Sequence, residues 1–426
     1  MTPQGHFMVT APVRPDRLAA LRSLLASMNT APGVVDPTNR IVPFAQFPTI
    51  HVARFVVLDD PTLDDRRAYP DVVFPAEQIL LAFLADCDGP GEQLLAQLAR
   101  EAGDGLRRIF SHCEGWDESS DLLGWMSAHN VEPTTIYVNW AGRTVYQIRE
   151  EARLHAALSR ALAETGERDP QRLHEGLRAA VAARGVILTP PVAPTSAQKI
   201  AHILGFISVP VLAVVLSPLL IIIAPVFLLL LRRREHTDPV ITPRPDLTGL
   251  REMSAREDHD VTNPFSAIGS LKPGKFRRYL TTVILWVVNW STRYFYLRGR
   301  LARVGTIHFA RWVLLDDSRR VFFASNYDGS LESYMDDFIN KVAFGLNLVF
   351  SNGIGYPHTD FLVFGGAWRE HEFKNFLRRH QVPTDVWYKA YPGLTTHDLA
   401  RNGRIRTGFD RTDMNAEETR RWLAEI

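Results

Sequence analysis

Asp328 lies in the run Ser325-Asn326-Tyr327-Asp328-Gly329, at a predicted strand-to-helix corner. A carboxylate there can act as a general acid or base toward a bound substrate or cofactor. It can equally cap the helix that follows, by accepting its first N–H groups. Asn326 and Tyr327 beside it are candidate substrate contacts. His308 and Arg311 sit on a predicted strand upstream, and a regular strand turns positions three apart to opposite faces. One of the two is therefore expected toward the helices and the other between sheets. A buried histidine or arginine needs partners, and Asp316, Asp317 or Glu332 could serve. Arg311 can bind a carboxylate, or the pair can form a structural ion pair that stitches the sheet. Tyr388 and Tyr391, with Trp387, cluster on the last predicted strand and can line an aromatic pocket or fill a core. Glu370-His371-Glu372 has no second histidine at helical spacing, so it is no zinc motif. The sequence holds no glycine-rich phosphate loop and no serine elbow.

The elements that carry these residues occur twice. Thr49-Ile50-His51-Val52-Ala53-Arg54-Phe55 recurs as Thr306-Ile307-His308-Phe309-Ala310-Arg311-Trp312. Asp88-Gly89, Gly105 and Ile109-Phe110-Ser111 are matched by Asp328-Gly329, Gly345 and Val349-Phe350-Ser351. A repeat in this order reads as an internal duplication. Each copy predicts a strand, a helix, two strands, a long helix, a short helix and a last strand. The order β-α-β-β-α-β is the ferredoxin-like arrangement, which leaves one sheet face uncovered. Two open faces in one chain predict an α+β fold of tandem modules, paired sheet against sheet.

With these motifs the module resembles the dimeric α/β-barrel superfamily, whose members include dye-decolourising haem peroxidases, chlorite dismutase-like proteins and small monooxygenases. The C-terminal stretch around Ile307 to Trp312 and Ser325 to Gly329 is also similar to an uncharacterised bacterial family of this fold. The resemblance implies an intramolecular α/β barrel. It also implies a haem reading, with His308 or His358 as ligand, Arg311 toward peroxide, and Asp328 as acid/base. Ser325 stands where the peroxidase motif carries its first glycine, and a lone loop histidine such as His358 is more often a surface residue.

From Ile200 to Leu231 there is no Asp, Glu, Lys or Arg, and Arg232, Arg233 and Arg234 close the run. That exceeds the ~20 residues a spanning helix needs, so a membrane-embedded insert is expected. Pro210, Pro218 and Pro225 leave two forms open: one kinked helix, or a re-entrant hairpin turning near Ser217-Pro218. Paired modules must share one side of the bilayer, which favours the re-entrant or monotopic form, and the flanking bases suit the cytoplasmic side. The expected divisions are a first module at 1–150, appended helices and a proline-rich linker at 151–197, and the membrane segment at 198–234. A charged, loose linker at 235–262 and a second module at 263–426 complete them. Net charge is +1, which gives no footprint for nucleic acid. Cys87 and Cys113 form neither a disulfide framework nor a metal spacing, and Met1 to Val13 does not read as a secretory signal. The expected partners are the lipid bilayer and a hydrophobic or lipid-derived small molecule held by the C-terminal module, with a haem peroxidase and a non-catalytic membrane scaffold as alternatives.

Overall fold

A computed structural model describes residues 4–190, 193–296, 301 and 303–426; Pro191 of the proline-rich linker falls outside them. Among the described residues the chain is mixed α/β, with two four-stranded antiparallel sheets and one long apolar helix. Their strands are β1 (Gln4–Pro12), β2 (Ile50–Leu58), β3 (Leu80–Asp88), β4 (Thr135–Val138), β5 (Thr262–Ser270), β6 (Ile307–Leu315), β7 (Arg320–Asp328) and β8 (Val386–Lys389). The first sheet runs β1-β3-β2-β8 and the second β4-β6-β7-β5. The strand that ends each half thus pairs in the other half's sheet: Val386 opposes Phe55, and Thr135 opposes Trp312.

Alternation along the strands explains the layering. Phe7, Phe55 and Phe83 turn outward into a core covered by α1 (Leu18–Ala26), α2 (Gly91–Glu101), α3 (Gly103–Phe110) and α4 (Leu122–Ala128). Met8, Val56 and Leu84 turn the other way, into one apolar cluster with Ile268, Val313 and Phe322 of the second sheet. Helices α5 (Val145–Glu164) and α6 (Pro170–Ala183) form the expected appended pair and continue into α7 (Ser196–Thr237) and α8 (Leu247–Ser254). The second sheet is covered by α9 (Lys275–Tyr294), α10 (Leu331–Phe350) and α11 (Glu370–His380). The chain ends in α12 (Thr396–Asp410) and α13 (Ala416–Leu423), which pack on α5 and α6. The expected single helix from Glu92 to His112 is broken at Ala102, and α10 leaves helical geometry at the matching Val342.

The hairpin expected near Ser217-Pro218 does not form. One helix runs unbroken through all three prolines. Proline in a helix interior costs ~3 kcal/mol, partly by stranding the carbonyl four residues back. At Pro218 that carbonyl belongs to Val214, and the Ser217 hydroxyl donates to it at 2.8 Å. The helix also outruns the expected boundary. Arg232 to Thr237 continue it, and Glu235 is buried against the loop at Thr359–Asp360. The linker at 235–262, expected to be loose, is therefore held to the body, with α8 inside it.

Candidate functional site

The two histidines sit at register breaks. Ile307 opposes Tyr327 and Phe309 opposes Asn326, so His308 is the extra residue of a bulge; His51 occupies the same place in β2. A bulge interrupts alternation and re-aims its side chain. The expected opposite-face rule therefore does not apply to His308 and Arg311, and their partners are not Asp316, Asp317 or Glu332. Asp316 holds Arg320 at 2.5 Å, and Glu332 faces Arg378 and Lys374.

Arg311 crosses to the other sheet. Its guanidinium donates to Phe7 O at 2.9 Å, Ala85 O at 3.1 Å and Asp86 Oδ1 at 2.6 Å. Arg54 makes the reciprocal crossing, to Phe265 O at 2.8 Å, Ser325 O at 3.0 Å and the Asn326 side chain. Both arginines are fully enclosed by protein, so neither is available to a ligand. Asn326 is spent on Arg54.

His308 turns along the strand end to Asp328, with Nε2 at 2.7 Å from Oδ1. Thr262, directly across the ladder, donates to the same oxygen at 2.6 Å. The second oxygen accepts the Thr396 N–H at 2.7 Å and the Thr396 hydroxyl at 2.8 Å. Asp328 does not cap the helix that follows it: Ser330 caps α10, whereas Asp328 accepts the first N–H of α12, which Thr395 caps and which begins 68 residues later. Gly329 follows at φ +86°, a conformation glycine adopts without steric cost. In the first half Asp88 repeats the pattern, with His51 at 3.0 Å and the Val145 N–H of α5 at 2.9 Å. The second half adds a charge. Lys389 Nζ is buried, donating to Thr262 Oγ1 at 2.5 Å and Leu394 O at 2.6 Å.

His308, Thr262 and the Thr396 N–H, with the Thr396 hydroxyl that also reaches Gly305 O at 2.6 Å, occupy the roughly four acceptor positions of a carboxylate. Burial alone would raise the Asp328 carboxyl, but His308 and the bonds from His308, Thr262 and Thr396 outweigh it and hold it below the usual range. Burial pushes the His308 imidazole down more than Asp328 raises it. The pair is thus a carboxylate and a neutral imidazole donating Nε2–H. A saturated carboxylate of low pKa is a weak proton acceptor; its chemistry is to position donors.

Asp328 also forms part of the wall of a cleft of about 760 Å³, bounded by Trp140, Arg303, Thr306, Lys341, His397 and Arg404. Lys341 is paired with Asp337, and Arg404 is bidentate to Glu425 at 2.8 Å. Among the described residues Arg303 makes no ion pair, and the buried Thr306 hydroxyl has no partner. The site expected from the sequence is only partly gathered here. Tyr327 is stacked on Tyr334 at 4.2 Å in the second core. Tyr388 is stacked on Phe44 at 5.1 Å in the first, and Tyr391 is bonded to His51 at 3.2 Å. None of the three borders the cleft. His358 lies beside His236 and Asp360, at the end of α7. His308 does not fit the role of a haem ligand. His308 is behind Asp328 with Nε2 engaged, so a macrocycle in the cleft would meet the carboxylate and not the ring.

Lys389 provides a pH test. Burial pushes it down to about 8, against ~10.4 for an unfolded lysine. The unfolded chain therefore holds this proton more tightly, and the folded state gains stability as pH rises from 8 toward ~10.4. His308 and Asp328, both shifted down, act in the acid range: the unfolded chain binds their protons first, so stability falls as pH drops below ~6.5. The urea midpoint of the wild type is expected to rise relative to Lys389→Met between pH 8 and 10.4. A difference constant with pH would show that Lys389 is solvated.

These residues define a mixed α/β protein that carries one helix long and apolar enough to cross a membrane, and a buried His–Asp pair beside a polar cleft. The chain matches no family model and none of the curated proteins compared with it.

Proposed function

We propose that the protein is a tandem pair of ferredoxin-like modules, closed on each other as an α/β barrel and attached to the cytoplasmic face of a membrane. We further propose that its C-terminal module binds a lipid-derived small molecule by that molecule's polar end. The exchanged strands, the matching bulges at His51 and His308, and the reciprocal crossings of Arg54 and Arg311 support the paired-module reading. The cleft carries the functional reading. Its exposed cation without an ion pair among the described residues is the Arg303 guanidinium, with His397 also in the wall, at the start of a helix that Asp328 holds in place. A guanidinium in the cleft wall with no ion pair among the described residues suits a carboxylate or phosphate oxygen. The cleft also lies toward one end of α7: Trp290 of α9 bonds Gly205 of α7, Thr292 bonds Ile136, and β4 leads on to Trp140 in the cleft wall.

Native mass spectrometry of the detergent-purified full chain tests this. A bound lipid-derived anion is expected on the wild type and is expected to fall at least tenfold in occupancy in Arg303→Glu, an exposed change that leaves the core intact. Equal occupancy in both would remove the cleft from consideration.

A further inference from the structure

The apolar helix does not project from the body; it lies along it. At one end the Trp290 Nε1–H of α9 donates to Gly205 O at 2.9 Å, and Phe206 packs on Phe295 at 5.3 Å. At the other end Phe227 meets Phe276 at 5.5 Å, and Arg234 lies over the Phe276 ring. Helices α7 and α9 thus run antiparallel and touch near both ends, at Gly205 and Phe227, which are ~33 Å apart along α7 at 1.5 Å per residue. The other side of α9 is bolted to the second sheet, through Thr135 to Leu285 O at 2.6 Å and Thr292 to Ile136 O at 2.8 Å. Beyond the apolar run, Asp238 pairs with Lys272 at 3.1 Å and with Arg277.

That span is about as long as a bilayer's ~30 Å hydrocarbon core is thick. If α7 crossed, α9 and the edge of the sheet bonded to it would be carried into the hydrocarbon with it. One leaflet, half of that core, is ~15 Å deep, and a helix with its side chains is ~10–12 Å across. A helix apolar all round therefore fits within a single leaflet, lying in its plane. Two further exposed surfaces extend the same face. The outer side of α9 presents Tyr279, Val283 and Trp286, and the loop beside Arg232 presents Phe361, Phe364 and Trp368. That loop is held in an unfavourable shape: Phe361 and Leu362 have φ of +53° and +61°, with both N–H groups bonded to buried Glu235 at 2.9 and 2.8 Å. Strain of this kind persists only where surrounding contacts enforce it.

We infer that α7, the outer side of α9 and the Phe361–Trp368 loop form one seating face, immersed in a single leaflet without crossing it. The partner is a lipid monolayer; basic Lys199 and Arg233 mark the two ends at headgroup level. The inference rests on the membrane attachment proposed above, and not on the cleft.

The test uses the full chain carrying both Lys199→Cys and His236→Cys, in vesicles of phosphatidylcholine and phosphatidylglycerol, treated with a membrane-impermeant maleimide. Cys87 and Cys113 are buried and stay unlabelled. Each molecule in the vesicle fraction is expected to carry two labels or none by intact mass, whatever its orientation. One label per molecule would mean that α7 crosses and would overturn the inference while leaving membrane attachment intact. Protein that fails to float with the vesicles would overturn both.

Discussion

Arg311→Ala is expected to cost ~3–5 kcal/mol, the range for removing one partner of a buried ion pair. The substitution leaves the Asp86 carboxylate inside the protein without its cation, and takes from Phe7 O and Ala85 O, which face each other in the ladder, the donor that Arg311 supplies in addition. Lysine cannot replace the arginine, because one ammonium cannot reach three acceptors placed for a planar fork. Arg54 occupies the matching place but meets Asn326 where Arg311 meets Asp86. Its charge is desolvated without a carboxylate in contact, so Arg54→Met is expected to be far milder, within ~1 kcal/mol of wild type, since apolar replacement of a buried charge is often neutral. Urea unfolding of both variants measures the contrast. The double variant Arg311→Ala with Asp86→Ala is expected to recover part of the loss, as coupled neighbours do. Equal losses at Arg311 and Arg54 would show that the carboxylate contributes nothing, and that the arginines matter only as spacers between the sheets.

The contrast also shows what could be read from the sequence. His308, Arg311 and Asp328 stood out because the first half repeats them as His51, Arg54 and Asp88, and the structure gives each pair matching contacts. What they touch did not stand out, because every partner comes from far along the chain. Thr262 is the residue across the ladder from Asp328, Thr396 begins a helix 68 residues later, and Lys389 sits on a strand that has joined the other half's sheet. Nothing in the pattern of Val386 to Lys389 says which sheet it enters; four apolar-rich residues pair as well with β2 as with β6. Tyr388 and Tyr391, read as an aromatic pocket or a core, fill the core under the first sheet. The bulge at His308 was equally hidden, since it changes no residue type and only shifts the register by one. Conversely, the prolines of α7 left a kinked helix and a hairpin equally open, and the continuous helix is the form that occurs. Three breakers in a run of strong apolar helix formers cost hydrogen bonds, but the helix has no competing partner for its backbone once water is excluded.

Glu235 was read as part of a solvated linker, and the second large effect is expected there. Glu235→Ala should destabilise the protein by about 3–4 kcal/mol. Its carboxylate accepts from the Phe361 and Leu362 N–H groups and from the Thr359 hydroxyl at 3.0 Å. Bonds to a charged group contribute ~1.5–3 kcal/mol each, and a buried donor left unpaired carries its desolvation cost in full. Against that sum stands the strain released when Phe361 and Leu362 leave the left-handed region, ~1–3 kcal/mol each. Relaxation therefore trims the loss and also directs it, because the loop must change shape for the strain to go. Local opening is then expected to outrun global unfolding. In detergent the variant should be cut by protease between Thr359 and Trp368 at temperatures where the wild type resists. Glu235→Gln, which keeps one acceptor but turns an amide toward the other donors, should fall between the two. An alanine variant as stable as wild type, with the loop still resistant, would mean that packing of Phe361 under Arg232 holds the loop and that the carboxylate is incidental.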